Sequence, residues 1–363
     1  MKKVITILGA RPQFIKSLPL SKELQNIKVE EIVVHTGQHY DYEMSQVFFD
    51  TMDLKKPKYH LGIGSLSHGA QTGRMLEKIE EVLKKEKPSG VIVYGDTNST
   101  LAAALAAVKL HIPVFHIEAG LRSFKRNMPE EINRVLTDHI SSLLFPPSDM
   151  AVKNLRKEGI TKGVYKTGDI MYDTFKIFKE SYKKRALEIL KKLDLKENNF
   201  ALATIHREEN SDDRKKFNSI LDGLKRIASE GIEIVLPAHP RIQKILPPNL
   251  KGVKIIKPLS YIDLQALLTK CKIVLTDSGG LQKEAYFHKK PCITLREETE
   301  WVELKKSGVN VVAGWKSEKI HKSFKKMVKQ KLTFAQNIYG EGRSALKIAK
   351  VIKCYIEGGL NGQ

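Results

Sequence analysis

Three cysteines in 363 residues, Cys271, Cys292 and Cys354, are too few and too widely spaced for a disulfide framework. None belongs to a CxxC pair, which excludes a zinc ribbon. Ordinary thiols of a reducing compartment are what remains. Long apolar runs are also missing: no stretch approaches the roughly 18–20 residues of a membrane span. The start, Met1-Lys2-Lys3-Val4-Ile5-Thr6-Ile7-Leu8-Gly9, opens like a signal peptide, but its apolar run is short and Arg11-Pro12 interrupts it. The expected location is the cytoplasm, with no membrane partner. Aromatic residues are only 7%, without an RRM, KH or helix-turn-helix signature. No HExxH pairing exists, so no metal is expected.

What is abundant is positive charge: 62 Lys and Arg against 41 Asp and Glu, a net +21. The lysines are scattered, many of them through 179–196 and 316–331. A solvated basic surface fits this better than a nucleic-acid face, so no nucleic acid is expected. A positive field also helps to collect a polyanionic small molecule. If the charge instead meant nucleic acid, a salt-dependent gel shift would appear without any activity on small molecules.

The length suggests two domains of about 170–180 residues. Strands and helices alternate throughout. Strands are expected at 4–8, 31–36, 90–94, 114–117 and 143–146, with helices over 12–25, 69–85, 100–110 and 129–140 between them. The second half repeats the grammar, with strands at 200–204, 233–237, 253–256, 273–276 and 292–295. Near-continuous apolar strands separated by helices mean a parallel sheet covered on both faces. The expected class is α/β, two doubly wound Rossmann-like domains facing a cleft. The Lys-rich stretch 170–198 is strand-free and carries the boundary, giving domains 1–170 and 171–344. A final periodic segment, 345–363, returns to complete the first domain.

Chemistry collects where strands end. Thr276-Asp277-Ser278-Gly279-Gly280 joins a strand to a helix. Backbone N–H groups at a helix start lack intrahelical partners, and the helix dipole adds positive charge. Glycines let an anion approach those groups, and Ser278 adds a donor. Glu284, at i, i+4 spacing from Gly280, can accept hydrogen bonds from a ribose diol. The plainer alternative is a tight turn with Ser278 as N-cap. Gly9-Ala10-Arg11-Pro12 follows the first strand, and Arg11 and Lys16 can both reach the cleft or simply face solvent. Asp96, in Tyr94-Gly95-Asp96-Thr97-Asn98-Ser99-Thr100, is either a site carboxylate or a helix cap.

Glu118 ends a strand in His116-Ile117-Glu118-Ala119-Gly120-Leu121-Arg122. Glu130 and Glu131 begin a helix in Met128-Pro129-Glu130-Glu131-Ile132-Asn133-Arg134, where either can merely suit the dipole. Three strand-end or helix-start acids in one domain match the needs of general acid–base chemistry. His206, in Thr204-Ile205-His206-Arg207-Glu208-Glu209-Asn210, is the leading titrating or phosphate-facing group, with His239 a weaker second. Gln38-His39 also follows a strand.

Taken together these stretches resemble the non-hydrolysing UDP-N-acetylglucosamine 2-epimerases. "GARPQFIK", "YGDTNST", "HIEAGLRS", "MPEEINR", "GDIMYD", "TIHREEN", "LTDSGGLQKEA" and "NIYGEGRSA" occur in order, from residue 9 to about 345. The resemblance implies a glycosyltransferase-B-like fold and interconversion of UDP-GlcNAc and UDP-ManNAc by a homodimer without a cofactor. It implies Asp96, Glu118 and Glu130 as catalytic carboxylates and His206 as a catalytic or phosphate-binding group. Arg11, Lys16, Ser278, Gly279, Gly280 and Glu284 would hold the nucleotide sugar, with Asp96, Glu118 and His206 also touching it. Leu264 stands where the family often places an aromatic near the uracil; a main-chain contact would survive that change. The family often continues with Arg-Pro-Glu after Leu-Arg-x-x-Thr-Glu; here Trp301-Val302-Glu303 follow, which bears on the choice of sugar. Some members take UDP-GlcNAc at a second, activating site near the Gln38-His39 position.

Other classes make different demands. A glycosyltransferase of the same fold needs an acceptor, and a hydrolysing epimerase releases UDP irreversibly. A nucleotide-sugar-binding protein without catalysis would have no use for three carboxylates.

Overall fold

The computed structural model describes residues 2–38, 55–247, 249–335 and 337–359. The chain's contacts divide it into two units, Met1–Ile177 with Asn337–Gln363, and Phe178–Gln336. In the first, β1 (Lys3–Leu8), β2 (Glu30–His35), β3 (Tyr59–His60), β4 (Gly90–Tyr94), β5 (Val114–Ile117) and β6 (Leu143–Phe145) form one sheet in the order β3-β2-β1-β4-β5-β6. Every pairing is parallel. The apolar strands explain this: all five residues of β4 and all four of β5 are buried, so both sheet faces must be covered by helices.

One cover is the helix Asn98–Lys109. Its run of alanines at 102, 103, 104, 106 and 107 is wholly buried against Ile5, Ile7, Val91 and Val93. Side chains that small bring the helix backbone close to the sheet. On another side the helix Ser344–Ile356 lies by the helix Arg11–Asn26. Tyr355 meets Phe115 edge-to-face with ring centres 5.5 Å apart, and Lys353 Nζ donates to the Ile27 carbonyl at 3.2 Å. The returning segment thus packs within the first unit.

In the second unit, β7 (Phe200–Thr204), β8 (Glu233–Pro237), β9 (Val253–Ile256), β10 (Ile273–Thr276), β11 (Cys292–Thr294) and β12 (Asn310–Val312) are arranged β12-β11-β10-β7-β8-β9, again all parallel. Counted from β7 this is the same order as in the first unit. Alternate residues feed two cores. Ala201, Ala203, Ile273 and Leu275 pack with Phe217, Leu224 and Phe324; Phe200, Leu202 and Val274 pack with Leu267 and Leu281.

The expected doubly wound class is therefore the observed one, six strands to a sheet rather than five. The two additions, β3 and β12, are sheet edges of two and three residues. Segments so short show no periodicity and become strands only because a neighbour offers its free edge. In both sheets the order reverses beside the first strand, between β1 and β4 and between β7 and β10. Sheets of this kind bind ligands outside the carboxyl ends of strands at that reversal. The three cysteines are free thiols, Cys271 and Cys292 buried and Cys354 exposed. Among the described residues no helix is long and apolar enough to cross a membrane.

Candidate functional site

In the first unit the loops at the reversal are fastened by one side chain. Gln13 Oε1 accepts from Gly9 N at 2.7 Å and Ala10 N at 3.0 Å. Its Nε2 donates to the Tyr94 carbonyl at 2.7 Å and to the hydroxyls of Thr97 and Thr100, each at 3.0 Å. The turns after β1 and β4 are thereby tied together. Pro12 opens the helix Arg11–Asn26, as its fixed φ favours. That helix carries Arg11 and Lys16, both half-buried.

After β4, Gly95 turns with φ +63° and its N–H donates to the Ile117 carbonyl at 3.0 Å, joining the β4 and β5 ends. Asp96 Oδ2 lies 2.5 Å from Arg134 Nη2, and its carbonyl accepts from Asn133 Nδ2 at 2.9 Å. Thr97, not Asp96, caps the following helix, its hydroxyl accepting from Thr100 N at 3.3 Å. The capping alternative for Asp96 is thus filled by its neighbour. After β5, Glu118 takes φ +70°, a left-handed conformation that costs a non-glycine residue about 1–3 kcal/mol and is typical of functional positions. Its carboxylate, 8% exposed, is paired with the Lys16 ammonium.

The adjacent glutamates at the start of the helix Pro129–Ile140 differ in kind. Glu131 is buried and folds back to accept from Ser123 N and Phe124 N, each at 2.8 Å, and from Arg134 Nη1 at 2.8 Å. Burial alone would raise its pKa, but these donors hold it below the ordinary carboxylate value. Its oxygens are committed to the fold. Glu130 is half-buried and makes no hydrogen bond or ion pair with the described residues, so its carboxylate is available for chemistry.

The second unit places His206 after β7 and Ser278 after β10. Asp277, fully buried, accepts from the backbone N–H of His206 and Arg207 and from Asn210 Nδ2, the last two at 3.1 Å. The desolvation that would push its pKa up is outweighed by His206, the Arg207 N–H and Asn210, and it lies below its usual value. His206 Nδ1 sits 3.1 Å from Asp277 Oδ1, and the ring centre is 5.6 Å from that of His239. Asp277 therefore shapes the His206 loop rather than facing a ligand.

Ser278 is the N-cap of the helix Gly279–Phe287 and accepts from Leu281 N at 3.4 Å. A Cβ on Gly279 would fall 2.1 Å from Glu300 Oε1, so a side chain there would have to push the Glu300 carboxylate off Arg296. A Cβ on Gly280 would meet nothing closer than Ser278 Oγ at 4.0 Å. Packing does not need Gly280 to be bare. Open space over the first free N–H groups of a helix is what an anion needs.

Glu284, one turn on, is buried. The Tyr261 hydroxyl is pushed well above its ordinary pKa by burial and then by the Glu284 charge. Leu264 is half-buried on a cluster with Ile256 and Leu259. Trp301 is buried; its indole N–H donates to the Gly279 carbonyl at 2.9 Å, and its ring lies 4.1 Å from the Lys283 ammonium. The tryptophan thus braces the Gly279 turn. Gln38 Oε1 accepts from Ser99 N at 3.0 Å and Ser99 Oγ at 2.6 Å; His39 lies outside the described residues.

Lys16 and Glu118 meet by the ends of β1 and β5, with Asp96 on the adjoining turn after β4; Arg11 opens the helix after β1, and Glu130 stands one helical turn before Arg134, the partner of Asp96. His206, Ser278, Gly279 and Gly280 collect by the ends of β7 and β10, with Glu284 one helical turn in. Sequence reading missed Gln13, Arg134, Asp138 and Asn210, whose partners lie far along the chain. Gln13 is the one with a local signal, a polar residue at the third helical position behind Gly-Ala-Arg-Pro.

Two doubly wound sheets, with acids at one reversal and an open helix start at the other, define the glycosyltransferase-B-like class. The family model described as UDP-N-acetylglucosamine 2-epimerase matches residues 22–353. The chain belongs to the UDP-N-acetylglucosamine 2-epimerase family. It is 48% identical to a UDP-N-acetylglucosamine 2-epimerase homolog of Methanococcus maripaludis, over 97% of this chain and 99% of the relative. It is 46% identical to the UDP-2,3-diacetamido-2,3-dideoxy-D-glucuronate 2-epimerase of Pseudomonas aeruginosa, over 96% and 99%. The crystal structure of the Methanocaldococcus jannaschii UDP-GlcNAc 2-epimerase in complex with UDP-GlcNAc and UDP superposes with a TM-score of 0.90 at 41% identity, covering 97% of this chain and 99% of that one.

Proposed function

We propose that this protein reversibly epimerises UDP-N-acetylglucosamine at C2 to UDP-N-acetylmannosamine, without a cofactor. What supports the reading is the placement of Asp96 and Glu118 on the adjoining turns after β4 and β5, with Glu130 on the helix whose Arg134 pairs with Asp96. The C2 proton has no adjacent carbonyl to acidify it, so direct removal is very hard. In the proposed route a carboxylate takes the C2 proton, the C1–O bond breaks in an anti-elimination, and UDP leaves with the bonding pair. The product is 2-acetamidoglucal. UDP then re-adds at C1 while a proton arrives at C2 on the opposite face. Ser278 and the N–H groups of Gly279 and Gly280 take the diphosphate, Arg11 adds charge, and Glu284 takes the ribose hydroxyls. Donors fixed on the leaving diphosphate stabilise the charge as it develops. His206 is proposed as the phosphate-facing or proton-transferring group, and Leu264 as a main-chain contact to the uracil.

The family resemblance supports a homodimer and a role in cell-surface polysaccharide synthesis, and the free thiols suit the cytoplasm. A second reading, a modified UDP-N-acetyl sugar as substrate, is favoured by the 46% identity to the diacetamido-glucuronate enzyme. Proton NMR with UDP-GlcNAc in D₂O tests the first. UDP-ManNAc should appear, with deuterium at C2 in both product and recovered substrate. No product and no exchange, with UDP still bound, would discard UDP-GlcNAc as substrate and move the test to the modified sugar.

The open space at Gly280 makes a separate prediction. Gly280→Ala should raise thermal stability by about 0.5–1 kcal/mol, because the unfolded chain loses freedom and a helical alanine is favourable. UDP affinity should fall in the same variant, since the methyl occupies the approach to the helix start. Calorimetric titration with UDP measures this. Unchanged affinity would remove Gly280 from the diphosphate site.

A further inference from the structure

His116 stands inside β5, fully buried, with acceptors on both ring nitrogens. Nδ1 lies 2.7 Å from Asp138 Oδ1, and Nε2 lies 2.8 Å from the Gly95 carbonyl oxygen. A carbonyl oxygen only accepts, so Nε2 carries a proton. Asp138 is a carboxylate already accepting from Gly120 N at 3.0 Å and Arg122 Nη1 at 2.7 Å through Oδ2. Two donors, one of them the Arg122 guanidinium, keep this buried carboxylate ionised, so its Oδ1 also accepts. Nδ1 must then carry a proton too.

From this geometry we infer that His116 is held as a buried imidazolium and acts as a positioning residue for the Gly95–Asp96 turn. The inference rests on the reading of Asp96 and Glu118 as catalytic carboxylates. The Gly95 carbonyl that His116 grips immediately precedes Asp96. A Cβ on Gly95 would sit 3.4 Å from Glu118 Oε2 and 3.9 Å from Lys16 Nζ, so this turn is also the floor beneath the Glu118–Lys16 pair. The ring thus links the helix Pro129–Ile140, through Asp138, to the turn that presents the acids. The charged groups around it are accounted for. Asp138 faces it from that helix. Arg122, from the loop after β5, shares Asp138 and is itself paired with Glu158 at 2.6 Å. Glu118 lies two residues along, with Lys16 against it from the helix Arg11–Asn26. A doubly protonated ring donates two charge-assisted bonds at once; a neutral ring would leave either Asp138 or Gly95 facing a lone pair.

The test has one arm that needs no activity. In full-length protein labelled with ¹⁵N-histidine, one imidazole should show two hydrogen-bonded ring N–H signals that exchange slowly with solvent, as its burial and its two acceptors require. That pair of signals should vanish in His116→Gln. Should that variant not fold, Asp138→Asn, which keeps the ring and removes its counter-charge, must lose the same pair. Absence of the pair in the wild type, or its survival in a folded variant, overturns the assignment. The second arm measures C2 exchange on UDP-GlcNAc in D₂O. His116→Gln should lower kcat by about 10-fold to 100-fold, the cost of misplacing a catalytic group by about 1 Å. KM and UDP affinity should stay near wild type, because the nucleotide contacts lie elsewhere. An unchanged kcat, or a loss confined to KM, overturns the positioning role. If wild-type protein exchanges nothing, the substrate reading has failed, and the nitrogen signals still decide the state of His116.

Discussion

Glu118→Gln is expected to lower C2 exchange by about 10²–10⁴-fold, the range for removing a positioned acid–base group. The same change in Asp96→Asn and Glu130→Gln separates the three roles. Each amide keeps the shape of its acid but cannot take a proton. Glu118 has the strongest case because its backbone is held at φ +70°, a conformation that the surrounding structure must enforce. Its replacement also leaves Lys16 without a counter-charge, so a stability loss of roughly 1–3 kcal/mol should accompany the activity loss. Thermal melting distinguishes that loss from the chemistry. Glu130 offers the cleanest comparison: it has no hydrogen bond with the described residues, so Glu130→Gln should melt as the wild type does. Asp96→Asn falls between them, since the amide oxygen can still accept from Arg134. A carboxylate that removes the proton from one face and another that supplies it on the other should affect the two directions of reaction unequally. Wild-type exchange in Glu118→Gln would sink the assignment of that residue.

The second large effect concerns pH and lies in the second unit. His288 is half-buried at the end of the helix Gly279–Phe287, with Nε2 2.9 Å from Gln265 Oε1 and its ring 5.9 Å from Tyr182. Burial, and then the charges of Lys290 and Lys179, push its pKa down to about 3 from 6.5. The unfolded chain protonates this group near 6.5 and the folded chain only near about 3. Between those values the unfolded state holds the extra proton, so stability rises with pH. The contribution is complete above 6.5 and is lost progressively as pH falls toward 3. Its slope approaches about 1.4 kcal/mol per pH unit in that window. Asp138 and Asp277, both with depressed values, lose their contributions lower, as pH falls below the ordinary carboxylate range. Urea unfolding between pH 6.5 and 4 should therefore show a steep wild-type dependence that His288→Gln flattens by about one proton's worth. Equal slopes in the two proteins would show that His288 titrates normally when folded. The point bears on the site because His288 closes the helix that begins at Ser278 and carries Glu284.

Much of this protein is legible one segment at a time. Apolar runs such as 91–93 and 273–275 state that a strand is buried on both faces, since no side chain in them can hydrogen-bond to water. Pro12 and Pro129 mark helix starts by fixing φ, and Ser278-Gly279-Gly280 marks a strand–helix turn with room above it. Those signals are local, because they depend on a residue's own backbone and near neighbours. They suffice for the alternation, the doubly wound class and the position of the acids at strand ends.

Tertiary structure decided what depends on a distant partner. Nothing in Glu130-Glu131 says which carboxylate the fold consumes; the loop at Ser123 and Phe124 does, by turning its N–H groups onto Glu131. Asp96 and Thr97 are both competent caps, and Arg134, 38 residues away, draws Asp96 aside. Asp277 reads as part of a phosphate loop until Asn210 and the His206 backbone are placed around it. The edge strands Tyr59–His60 and Asn310–Val312 exist only because β2 and β11 leave N–H and C=O groups to be paired. Periodicity records which residues avoid water, and it is blind to which distant donor meets which acceptor once they have.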